Sequence, residues 1–167
     1  MEIREITKSS YNLGQLSELL IDAVDSGASI GFLAPLSFER AKDYWMNVLN
    51  SLSHSFVLLG AFEGESLVGS VQLECSGKEN GAHRAEVQKL FVLRSYRGKG
   101  IAKELMFRAE EVAKSLNRSL LILDTKQGDN AECLYSKIGY QRAGVIPKFA
   151  INSDGGFGAT VFFYKEI

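Results

Sequence analysis

The apolar run Leu90-Phe91-Val92-Leu93 meets the turn Arg97-Gly98-Lys99-Gly100 and then an amphipathic stretch, and this junction restricts the fold more than any other part of the chain. Apolar residues recur at Ile101, Ala102, Leu105, Met106, Ala109, Val112, Ala113 and Leu116, the 3.6-residue period of a helix. The segment therefore reads as strand, glycine-rich turn, helix. Glycines let backbone N–H groups approach a ligand closely, and the helix N-terminus behind them favours an anion. A phosphate-bearing ligand is expected there. The spacing is neither the G-x-G-x-x-G of a dinucleotide fold nor the Gly-Lys-Ser/Thr ending of a nucleotide P-loop.

The remaining pattern alternates strands and helices. Glu2 to Ile6 reads as a short strand and Leu13 to Val24 as a helix ending near Gly27. Residues 26–33 are unusually apolar for an exposed connection. Ser37 can cap a second helix whose inner face would be Phe38, Ala41, Trp45, Val48, Leu49 and Leu52. A hairpin follows, Phe56 to Phe62 and Leu67 to Cys75, turning at residues 63–66. A long strand, Arg84 to Leu93, feeds the glycine turn. Leu120 to Leu123 is wholly apolar, as expected of a strand covered on both faces, with Asp124 and Thr125 at its carboxyl end, where open α/β sheets place ligands. Asp129 or Asn130 caps a short helix that Gly139 ends, and strands around Arg142 to Ile146 and Ala159 to Lys165 finish the chain.

Composition sets the outer limits. With 167 residues, 46% of them hydrophobic, residues 1–167 are expected to form one domain. A net charge of -1 with interspersed signs gives no basic stripe, so no nucleic-acid partner is expected. No apolar run reaches the ~20 residues of a membrane span, so no membrane partner is expected either. Cys75 and Cys133 lie far apart without metal spacing, and the start lacks a basic-then-apolar signal; a reduced, cytoplasmic protein without metal is expected. Both cysteines are expected to pack as small hydrophobes, and His54 and His83 to lie on the surface.

Four segments together resemble the Gcn5-related N-acetyltransferase (GNAT) superfamily. Arg97, Gly100 and Ala102 match its Arg-x-x-Gly-x-Ala pyrophosphate loop, and Leu90-Phe91-Val92 stands where its pantetheine-binding strand does. Asn130, Tyr135, Gly139 and Tyr140 match its Asn-x-x-x-x-Tyr-x-x-x-Gly-aromatic segment, and Glu86 stands where many members carry a general-base glutamate. The resemblance spans roughly residues 56 to 165; Arg94 replaces a common proline. It implies an α/β sandwich with a mixed sheet of about six or seven strands, splayed central strands and about four helices. It also implies acetyl-CoA as co-substrate, held by Leu90, Phe91, Val92, Arg97, Gly98, Lys99, Gly100, Ile101, Ala102, Lys103 and Asn130. The runs 27–32, 84–90 and 123–125, with Gly144-Val145-Ile146-Pro147 and Phe163-Tyr164-Lys165, look like its tabtoxin-resistance branch. That branch implies direct transfer of acetyl to a primary amine of a small amino-acid-like molecule, in a ternary complex.

Residues exist for each chemical requirement. An ammonium must lose a proton before it attacks a thioester, and Glu86 or Asp124 can take it. Strand alternation would put Glu86, Gln88, Leu90 and Val92 on one face, so that the carboxylate and the pantetheine contacts share a side. Tyr135 resembles the superfamily's thiol-protonating tyrosine, with a core tyrosine as the alternative. The Val92 N–H would polarise the acetyl carbonyl. Phe32 and Gln88 are expected to contact the acceptor. Two other readings stand beside this one: a peptide or protein N-terminal acetyltransferase, and a non-catalytic acyl-CoA-binding regulatory module. A homodimer through the C-terminal strands is compatible with all three.

Overall fold

Three of the four helices begin at side chains that accept from otherwise orphaned N–H groups. In the computed structural model, which describes residues 1–8 and 12–167, Asn12 caps α1 (Leu13–Asp25) through Gln15 N at 3.1 Å. Ser37 caps α2 (Phe38–Ser51) through Arg40 N at 3.3 Å, and Asp129 caps α4 (Asn130–Lys137) through Ala131 N at 2.9 Å. Such caps contribute about 1 kcal/mol each. The remaining helix, α3 (Ile101–Ser115), starts at Gly100 with no side-chain cap.

Seven strands form one mixed sheet: β1 (Glu2–Glu5), β2 (Phe56–Glu63), β3 (Ser66–Cys75), β4 (Arg84–Val92), β5 (Leu120–Lys126), β6 (Gln141–Ile151) and β7 (Phe157–Glu166). Their order is β1-β2-β3-β4-β5-β7-β6, with β4 and β5 the parallel pair. That pair is short. Its register runs only from Arg84↔Leu120 to Glu86↔Ile122, although β4 continues to Val92 and β5 to Lys126. The two central strands therefore diverge and leave a gap, as the expected splay requires.

One core lies under α3 and α4, with Val71, Leu73, Leu105, Met106, Leu121 and Phe163 among its buried members. The other lies under α1 and α2 and contains Leu16, Leu20, Trp45, Leu58 and Phe91. On that side α1 packs on β3 and β4, and α2 packs against α1. Several expectations need correction. Phe38 is 44% exposed rather than part of the inner face of α2, which begins one turn later at Ala41. Leu121 and Leu123 of β5 are buried but Leu120 and Ile122 only half-buried, since the first two belong to the core under α3 and α4 and the other two to neither core. Pairing with β7 carries β5 on through Asp124 and Thr125 to Lys126. Strand β6 extends to Ile151, five residues beyond the expected Ile146, because β7 pairs with it to the hairpin tip. Cys75 is buried as expected, whereas Cys133 on the outer face of α4 is exposed; His54 and His83 are exposed.

Candidate active site

The glycine turn has the geometry an anion needs. Gly98 (φ 79°) and Gly100 (φ 83°) are both left-handed, and a Cβ added at either would meet no atom within 4 Å. Space in front of the first turn of α3 is thus open, and its N–H groups lack a side-chain cap. Lys99 and Lys103 flank it, stacked over Tyr96 and Phe107. Arg97 is committed elsewhere: its Nε donates to the Val92 carbonyl at 3.0 Å and a terminal nitrogen to Ser26 Oγ at 2.8 Å, tying the turn to β4 and to the end of α1. Leu93 N–H donates to the Val68 carbonyl across the ladder. By the alternation of an antiparallel pair, the backbone groups of Val92 point the other way, into the gap beside β5. These residues fit a diphosphate at the turn and an extended chain along the gap.

Strand β4 does not alternate throughout. Ser70 pairs with Phe91 and Gln72 with Gln88, so Val71 alone opposes both Lys89 and Leu90. This is a β-bulge, and Lys89 has φ 52°. The extra residue inverts parity along the strand. Ala85 and Val87 belong to the core under α3, and so do the contacts of Leu90 and Val92, while Phe91 joins the core under α1 and α2. Glu86 and Gln88 consequently face the α1–α2 side, opposite to Leu90 and Val92. The expected common face is wrong, and the bulge is the reason.

On the α1–α2 side the carboxylates gather. Glu86 is held above the usual carboxylate range, first by burial, then by the Asp124 charge, with Glu74 adding to it and Gln88 and Lys89 opposing. Gln88 Nε2 donates to Glu74 Oε2 at 3.0 Å. Asp124 is exposed to the cleft; the Thr160 hydroxyl donates to its Oδ2 at 2.6 Å, with the Thr125 carbonyl at 2.9 Å as alternative acceptor. Tyr135 is 6% exposed, with its ring 5.8 Å from Phe163 and 5.9 Å from Tyr140. Burial, then Asp129, then Asp124 push its hydroxyl above the ordinary tyrosine range. Asn130, the first residue of α4, is exposed.

A cavity of about 220 Å³ opens beside Asp124, lined by Ser29, Ile30, Gly31, Lys89, Phe149 and Thr160 among others. Its walls are the loop after α1 and the β6–β7 hairpin, joined by Ala34 N–H donating to Ser153 Oγ at 3.0 Å. Phe32 is not in the lining; it turns onto Tyr44, ring centroids 5.3 Å apart. Lys89, Thr160 and Phe149 were not foreseen from sequence. Lys89 sits inside a strand pattern, Thr160 acts only through Asp124, and Phe149 comes from the far end of the chain. Among the described residues no group of three His, Cys, Asp or Glu side chains could hold a metal, and no helix is long and apolar enough to cross a membrane.

The Acetyltransferase (GNAT) family matches residues 20–140, from mid-α1 to the residue before β6. The chain belongs to this family. It is accordingly an acetyl-CoA-dependent acetyltransferase. An uncharacterized N-acetyltransferase in the hisH-hisA intergenic region of Azospirillum brasilense is 30% identical over 123 residues, 72% of each chain. Solved GNAT-like structures share the fold: a ribosomal-protein-alanine N-acetyltransferase from Brucella melitensis has a TM-score of 0.82 at 22% identity, covering 100% of both chains. The Salmonella typhimurium protein yncA, solved with its cofactor acetyl-CoA, has a TM-score of 0.80 at 15% identity, covering 99% of this chain and 93% of that one. The seven-stranded mixed sheet and four helices are the GNAT architecture.

Proposed function

We propose that this enzyme acetylates the primary amine of a small amino-acid-like molecule by direct transfer within a ternary complex. The observation that carries the reading is the cavity beside Asp124, walled by the 27–36 loop and the β6–β7 hairpin. Those walls close one end of the cleft to an extended polypeptide. Acetyl-CoA bound along the gap supplies the activated acetyl group. The backbone from Gly98 to Lys103 receives its diphosphate, beside Arg97 and Asn130, while Leu90, Phe91 and Val92 flank the pantetheine. The Val92 N–H, turned into the gap, polarises the acetyl carbonyl. Asp124 attracts the ammonium, Glu86 removes its proton, and Tyr135 holds the proton for the departing sulfur. The bulge gives this division of labour a spatial form: Leu90 and Val92 turn to one side of β4 and the base to the other, with the gap between β4 and β5 as the meeting place.

The whole chain is read as one cytoplasmic domain of the tabtoxin-resistance branch. Exposed Ile146, Phe149, Ile151 and Phe157 on β6 and β7 support a homodimer joined there. A thiol-release assay with acetyl-CoA against amino acids, other small amines and short peptides tests the substrate class. Turnover of small amines at least tenfold above any peptide is expected. Preference for peptide N-termini would reverse the reading, and no thiol release with any acceptor would favour a binding module.

A further inference from the structure

Lys89 and Asp124 line the same small cavity with opposite charges and are not paired with each other; no ion pair among the described residues joins them. Each is held back by another partner. Lys89 Nζ donates to the Ile30 carbonyl at 2.8 Å, and Asp124 Oδ2 accepts from Thr160 at 2.6 Å. The Ile30 bond is the one hydrogen bond of the Lys89 ammonium among the described residues, leaving two of its three donors without one. A half-buried ammonium in that state is costly unless something pairs with it. The strand is also distorted at this residue, since φ 52° lies in the left-handed region that favours glycine and is uncommon for lysine. Gly31, itself left-handed at φ 90°, keeps side chains away: a Cβ there would come within 4.0 Å of Lys89 Nζ.

We infer that this cavity is a dipolar receptor for a zwitterionic acceptor, in which Asp124 takes the ammonium and Lys89 takes a nearby anionic group, a carboxylate in an α-amino acid. The inference rests on the small-acceptor reading above and makes Lys89 its specificity-determining residue. Burial lowers the affinity of Lys89 for its proton, while Asp124 and Glu86 raise it. A bound carboxylate acts in the same sense as those two and completes the pairing. An amine lacking the anionic group still meets Asp124, but leaves Lys89 unpaired.

The test uses the acetyl-CoA-saturated enzyme and several α-amino acids of differing side chain, each beside its amide and its decarboxylated amine. Thiol release gives kcat/KM for every member. The free acids should exceed their amides and amines by at least tenfold. The amide's amine is the less basic and more often deprotonated, so chemistry alone biases against that result. In Lys89→Met the acid-to-amide ratio should fall to within about twofold of unity, and Lys89→Arg should restore most of it. Calorimetry with acetyl-CoA checks that each variant is folded. Equal use of acids and amides by the parent enzyme overturns the inference without any variant. A ratio unchanged in Lys89→Met, with KM rising alike for both, would mean that Lys89 only anchors the Ile30 loop. Rejection of every small amine would remove the small-acceptor reading, and this inference with it.

Discussion

Glu86 and Asp124 lie on neighbouring strands, and the charge of Asp124 bears on the Glu86 carboxyl. Asp124 is the second-largest reason that the Glu86 carboxyl is held above the ordinary range, after burial. A general base works only when deprotonated, so kcat/KM should fall as pH drops through this raised value, above where a free carboxylate titrates. Asp124→Asn removes a like charge; the acidic limb should move to lower pH while KM for the amine rises more than kcat falls. Glu86→Gln should flatten the limb and lower kcat by about 10²-fold. A limb abolished by Asp124→Asn but kept in Glu86→Gln would exchange the two roles. Both carboxylates could be picked out from sequence because strand position and residue type suffice to nominate them. Their division of labour could not, because burial and mutual charge depend on the folded neighbourhood.

At the scale of the element, the junction of β4, the glycine turn and α3 is governed by backbone conformation. Gly100 is left-handed in open space, so a side chain there clashes with no protein atom but stands where the diphosphate is proposed to lie. Gly100→Val should lower acetyl-CoA affinity at least tenfold, about 1.4 kcal/mol, by calorimetry. The left-handed backbone adds about 1–2 kcal/mol of strain, which needs a control. Gly64, at φ 60° in the β2–β3 turn and equally open, supplies it. Gly64→Val should lose comparable stability with affinity unchanged; a Gly100→Val protein that binds like the parent would dismiss the turn as the diphosphate site. This element was legible early. Glycine spacing and a 3.6-residue period are local properties, and the helix began at the expected residue.

Across the whole molecule, the last strand locks the second half of the fold together. Lys165 Nζ on β7 donates to both oxygens of Glu110 on α3 and to the Ile138 carbonyl at the end of α4, each at 2.8 Å. Glu110 is 8% exposed, so removing the lysine strands a buried carboxylate. Lys165→Met should cost about 3 kcal/mol in denaturant unfolding. Arg108→Ala, which breaks only the exposed pair with Glu111, should leave stability within error. The residues alone left Asp129 and Asn130 both open as the cap of α4, but determined the chain order of strands and helices, the cap at Ser37, the glycine turn before α3 and the two candidate carboxylates. Each of these is set by neighbours within a few positions in the chain. Tertiary structure decided which face of β4 carries Glu86, because a bulge belongs to a pair of strands and arises only when Val71 faces two residues. It also decided the gap, since β4 and β5 part where β5 keeps pairing with β7. The cavity joins residues 29–31, 89, 124, 149–150 and 159–160. Only packing brings groups so far apart in sequence to within hydrogen-bonding reach, so no periodicity in the chain could announce them.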